Sequence, residues 1–116
     1  MLLWLGDFPP RPTPPAWSAL RRRYELIGVR VDDPWERELP RSGAFAAFDP
    51  ASGELVPFDT LDRGTRRRHS EWVHAREDAW RQLFPNTAQR LVVGTGDDLT
   101  GELVRFFKTR TRRVRV

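Results

Sequence analysis

The chain has 116 residues, 39% hydrophobic and 31% charged, with five Trp, one Tyr and seven Phe, enough aromatic area for one small domain with a core of its own. It has no cysteine, which excludes disulfides, iron–sulfur clusters and cysteine-ligated zinc. The formal net charge of +4 belongs to the C-terminal end: Arg105, Lys108, Arg110, Arg112, Arg113 and Arg115 stand there with no acid among them, and the residues before them are slightly acidic.

No apolar run approaches the roughly 20 residues of a membrane span. Met1–Leu5 is also too short for a signal peptide, so a soluble cytoplasmic protein is expected. Leu2-Leu3-Trp4-Leu5 is a continuous apolar run closed by Gly6-Asp7, the pattern of a buried strand in a parallel sheet. Five prolines between Pro9 and Pro15 exclude helix interior and central strand there, leaving a stiff surface loop or, alternatively, a ligand for an aromatic groove. Trp17, Leu20, Arg21 and Tyr24 share one face of a short helix over 16–24, and residues 25–31 read as a second strand ending at Asp32-Asp33-Pro34. Strand, helix and strand in about thirty residues is the size of a βαβ unit with parallel strands.

Residues 35–42 are polar and read as a connection. Two short apolar segments, 44–48 and 54–58, flank Asp49-Pro50-Ala51-Ser52-Gly53 and predict an inserted β-hairpin. Asp59-Thr60 or Asp62 caps a long helix over 61–84 that Pro85-Asn86 stops. A third strand at 90–93 leads through Gly94-Thr95-Gly96-Asp97-Asp98 to a last helix over 97–109, acidic at its start and basic at its end, as the helix dipole favours. The expected fold is α/β: a partial doubly wound parallel sheet of about three strands with helices and an inserted hairpin at about 44–58. The domain spans 1–109 and a basic tail spans 110–116.

Ligands in open parallel sheets gather beyond the carboxyl ends of the strands. Asp7, Asp32, Asp33, Thr95 and Asp97 fall at such ends and form a candidate cation site for magnesium, against the alternative that they serve as caps and turns. The glycine loop at 94–98 lacks both a dinucleotide fingerprint and the Lys-Ser/Thr of a P-loop. His69 and His74 are five residues apart, about 140° around a helix, and cannot ligate one metal as an i, i+4 pair would. No nucleophile–base pair supports an enzyme, so no catalytic residue is assigned. Arg66, Arg67 and Arg68, with Arg110, Arg112, Arg113 and Arg115, are candidate anion or nucleic-acid contacts, though the tail lacks aromatic residues to stack bases.

The segments Leu-Gly-Asp-Phe (5–8), Arg-Arg-Tyr-Glu-Leu-Ile-Gly-Val-Arg-Val-Asp-Asp-Pro (22–34), Glu-Arg-Glu-Leu-Pro (36–40), Asp-Pro-Ala-Ser-Gly-Glu (49–54), Asp-Thr (59–60) and Leu-Val-Arg-Phe-Phe (103–107) resemble, in this order, one bacterial family. It is the MoxR-associated, von Willebrand factor A-like family known as domain of unknown function 58. The match is to the C-terminal portion of that family's domain.

The resemblance implies a doubly wound fold with a metal-ion-dependent adhesion site, in which Asp7 stands for one ligand. The Asp-x-Ser-x-Ser motif that supplies most of that site is absent. No cofactor is therefore expected, and Asp7 is read as a remnant. The implied role is non-catalytic interaction with a MoxR-type AAA+ ATPase. Leu3, Trp4 and Leu5 would normally lie beside a strand outside this chain. They are the expected contact with the missing N-terminal half in trans or with a second copy in a homodimer. The alternatives are a small nucleic-acid-binding protein using the Arg-rich tail, or a remnant with no function of its own.

Overall fold

A computed structural model describes residues 1–114 of the chain, with side chains described through Arg110. The elements in order are β1 (Leu2–Gly6), α1 (Trp17–Arg23), β2 (Leu26–Asp32), α2 (Pro34–Arg37), β3 (Ala44–Asp49), β4 (Glu54–Asp59), α3 (Arg63–Leu83), a 3-10 turn at Thr87–Gln89, β5 (Arg90–Gly94) and α4 (Leu99–Val114). Strands β1, β2 and β5 form a parallel sheet in the order β1-β2-β5, with Leu2 opposite Leu26 and Gly28 opposite Arg90. β3 and β4 form a separate antiparallel hairpin in which Phe45 pairs with Phe58. The mixed α/β architecture, the three parallel strands and the inserted hairpin are those expected.

The alternation along β2 sets the two faces of the sheet. Leu26, Gly28 and Arg30 turn toward α1 and α3, where Phe8, Trp17, Leu26, Trp80, Leu83 and Phe84 close the core. The rings of Trp17, Phe84, Trp80 and Phe8 meet at centroid distances of 4.7–5.9 Å, tilted or edge-on, the geometries aromatic quadrupoles prefer. The Trp17 indole donates to the Leu83 carbonyl at 2.9 Å and ties α1 to the end of α3. On the opposite face Ile27 and Val29 are fully buried.

Four local expectations change. The apolar run 2–5 predicts a buried strand, yet Leu2, Leu3, Trp4 and Leu5 are 43–55% exposed. β1 has β2 on one side, and among the described residues no strand covers the other. The segment 35–42, read as a connection, opens with the one-turn helix α2. There the Asp33 side chain accepts from the Trp35 N–H and the Glu36 side chain accepts from the Asp33 N–H, a full capping box with Pro34 in the first turn.

The long helix starts at Arg63, capped by Asp62. The last helix continues through Val114, so Arg110 belongs to α4 and not to a separate tail beginning at 110. Arg115 and the side chains of Arg112 and Arg113 lie outside the described residues. Among the described residues no helix is long and apolar enough to cross a membrane.

Candidate functional site

The carboxyl ends of the strands carry the acidic residues expected there, and all but Asp7 are turned to a structural task through their side chains. Asp32 is 1% exposed, accepts from Arg30 at 2.8 and 3.1 Å and from Arg37 at 3.2 Å, and is ion-paired with Arg76 at 3.0 Å. Asp33 caps α2. Asp97 accepts from the Gly94 N–H at 2.7 Å. Thr95 donates its N–H to the Asp32 carbonyl at 2.9 Å, and Asp98 accepts from the Gly101 N–H. Asp7 is exposed, and its backbone carbonyl, not its carboxylate, is gripped by Arg76. Among the described residues no three His, Asp or Glu side chains stand where they could hold a metal ion. Asp32, Asp33, Asp97 and Asp98 thus serve in ion pairs and caps.

Beside these strand ends stands a charge lock. Arg30, Arg37 and Arg76 interleave with Asp32, Glu36 and Glu77 between β2, α2 and α3. Arg30 and Arg76 are 5% and 3% exposed, with their guanidinium groups over the rings of Trp80 and Trp72. Burial opposes the charged form of Arg30, but its hydrogen bonds to Asp32 and Glu77 outweigh that and raise its pKa above the ordinary value. Arg76 also donates to the carbonyls of Asp7 and Phe8, where the chain leaves β1 with Phe8 at a φ of 47°. Sequence periodicity places Arg76 on the same helical face as Trp72, Trp80 and Phe84 but does not show its ion-pair role. Its partners Asp32 and Glu36 lie some forty residues away in the chain.

The edge of β1 is one of the two unpaired edges of the sheet among the described residues, the other being that of β5. The Leu2 N–H donates to the Glu25 carbonyl toward β2 at 2.8 Å. By the alternation of a parallel ladder, the backbone N–H and C=O groups of Leu3 and Leu5 point away from β2, to the free edge. Trp4 leans over the aromatic core, its ring 4.8 Å from Phe8 and 5.5 Å from Trp17. Leu3 and Leu5 stand on the opposite face, 50% and 55% exposed. The three residues singled out by sequence thus form one exposed apolar edge. A cleft lined by Trp4, Leu5, Asp7, Phe8 and the proline loop adjoins it.

Among the described residues each candidate arginine has its own local partner. Arg66 donates to the Thr60 carbonyl at 2.8 Å, Arg67 pairs loosely with Glu71, and Arg68 donates to the Thr65 hydroxyl. Arg110, 15% exposed, is ion-paired with Glu25 and donates to the Ala88 carbonyl, which pins α4 to the sheet.

Residues 3–79 match a family described as protein of unknown function DUF58. A curated relative, the uncharacterized protein MAV169 of Mycobacterium avium, is 31% identical over 96 residues, which cover 82% of this chain and 56% of the relative. The chain thus spans little more than half the length of that protein. No solved structure gives a significant match.

Proposed function

The chain belongs to the DUF58 family, and from that premise we propose that it is a non-catalytic protein-interaction module of the von Willebrand A-like type that docks another polypeptide along the free edge of β1. The single observation that carries the reading is a parallel-sheet strand, Leu2–Gly6, paired on one side and exposed along Leu2, Leu3, Trp4 and Leu5. Parallel sheets are ordinarily buried on both faces, and an open apolar edge is a template for strand addition. A strand laid against Leu3 and Leu5 would satisfy their outward N–H and C=O groups and cover the two leucines. The occupant is the part of the longer relative that this chain does not match. The partner class of the completed domain is a MoxR-type AAA+ ATPase, as the family resemblance implies.

Backbone hydrogen exchange and sedimentation test this directly. The Leu3 and Leu5 amides should exchange fast in the isolated chain and become protected when the portion of the longer relative that this chain does not match is added. Fast exchange that persists after mixing, with the chain still sedimenting as a monomer, rejects the reading.

A further inference from the structure

Arg66, His69, Ser70, Val73 and His74 stand at i, i+3, i+4, i+7 and i+8 along α3, one face of the helix. A helix face turned toward another part of the chain is ordinarily apolar. This one carries an arginine, two histidines and a hydroxyl, and it forms one wall of a groove of about 380 Å³ whose other wall is Arg37, Glu38 and Leu39. The groove runs along the part of α3 before the buried Arg76 and Trp80, shares Arg37 with the charge lock, and owes nothing to the β1 edge.

The hydrogen bonds orient its donors. His69 Nε2 is 2.7 Å from the Trp35 carbonyl, and a carbonyl only accepts, so Nε2 carries a hydrogen and Nδ1 is left for a ligand. His74 Nδ1 is 2.7 Å from the Ser70 carbonyl, which leaves Nε2. Arg66 is anchored through one terminal nitrogen to the neutral Thr60 carbonyl, and among the described residues no carboxylate is ion-paired with it. Arg37 is anchored through Nε to Asp32. A guanidinium has five N–H donors in a fork suited to phosphate oxygens, and each anchor uses part of that fork. Leu39 and Val73 give the groove an apolar floor, and Glu38 is the one carboxylate among its walls.

We propose that this groove binds a phosphomonoester, with Arg66 and Arg37 as charged donors, the Ser70 hydroxyl as a neutral donor, and His69 Nδ1 and His74 Nε2 donating when their imidazoles are protonated on both nitrogens. Two sources supply that chemistry, a nucleoside monophosphate and a phosphorylated side chain.

Calorimetric titration of the full chain with inorganic phosphate at fixed ionic strength tests the site. NMR of the two imidazoles follows which residues respond. Saturable binding is expected, with shifts at His69 and His74. Arg66→Gln and, separately, His74→Ala should each weaken it at least about tenfold, the scale of a charge-assisted hydrogen bond. Both variants are checked for unchanged far-UV circular dichroism and melting. His74 is exposed and outside the core, so its variant keeps the test valid should Arg66→Gln unfold the hairpin base. Titrations with AMP and with phosphoserine then assign the source, the tighter one identifying it. No saturable heat, or binding unchanged in the folded variants, overturns the proposal. Failure of strand docking at β1 leaves it standing, and the reverse holds as well.

Discussion

Gly28 sits in the middle of β2 with the Phe84 ring against its Cα. A Cβ built there would lie 2.3 Å from Phe84 Cε2. Gly28→Ala must therefore displace a fully buried ring, and urea unfolding should show a loss of about 1–3 kcal/mol, the usual cost of overpacking. Arg76→Met removes a cation that bridges Asp32, Glu36 and the Asp7 and Phe8 carbonyls. A buried pair broken on one side costs about 3–5 kcal/mol, and the same unfolding experiment should find a loss of that size. Asp62 shows how a single cap enters the pH dependence. Its carboxylate accepts from the Thr65 N–H and hydroxyl, and these bonds hold its pKa below the ordinary 3.8. A depressed folded-state pKa stabilises the fold above the unfolded value, and that contribution is lost as pH falls below 3.8 toward the depressed value. Asp62→Asn should melt lower at neutral pH and lose less of its stability between neutral and acid pH than the parent chain.

At the scale of elements, β1 is the decisive one. Leu5→Lys places a charge on an exposed face of a strand whose other contacts are unchanged. The isolated chain should keep its melting temperature within a few degrees, while protection of the Leu3 amide by the added unmatched portion of the longer relative should vanish. The parallel sheet is legible in the sequence because the first strand, the helix and the second strand have the length and punctuation of one crossover unit. The hairpin is legible because Asp49–Gly53 is turn chemistry between two apolar segments.

What the sequence hides at this scale has physical causes. An apolar run such as 2–5 encodes the burial a strand is built for, and the chain by itself does not supply the neighbour. Helix α2 is short, and its signal lies in three residues, Asp33, Pro34 and Glu36, that a polarity reading passes over. The acidic strand ends were legible as positions but not as roles. Whether Asp32 faces a cation or an arginine depends on where α3 places residue 76. The α3 groove was hidden for a related reason: the five-residue offset of His69 and His74 rules out a shared metal yet leaves both on one wall of a wider cleft.

The whole molecule is extended for its length. Its radius of gyration is 17.2 Å and its extents are 53 × 33 × 25 Å, against about 13 Å expected for a compact chain of this size. A three-stranded sheet and a separate two-stranded hairpin, which meets the rest of the chain at its base and through the Trp35 and Phe45 rings, share this length. Small-angle scattering of the isolated monomer should return a radius near 17 Å, with the elongated distance distribution those two features produce. Along the hairpin Phe48 and Leu55, paired across the strands, are 64% and 70% exposed. A two-stranded ribbon of this kind is marginally stable on its own, so limited proteolysis should cut first at Ala51–Gly53.

The base of that hairpin has a consequence for how such a chain can diversify. Ala44 and Asp59 sit opposite each other, and the fully buried Thr60 ties the two feet together: its hydroxyl accepts from the Ser42 and Gly43 N–H groups, and its own N–H donates to the Gly43 carbonyl. Everything beyond that staple enters and leaves the body through a single narrow socket. Lineages that share this trunk are thereby free to lengthen, shorten or replace the ribbon while the trunk keeps its path, which makes it the natural place for new binding specificities to be grafted.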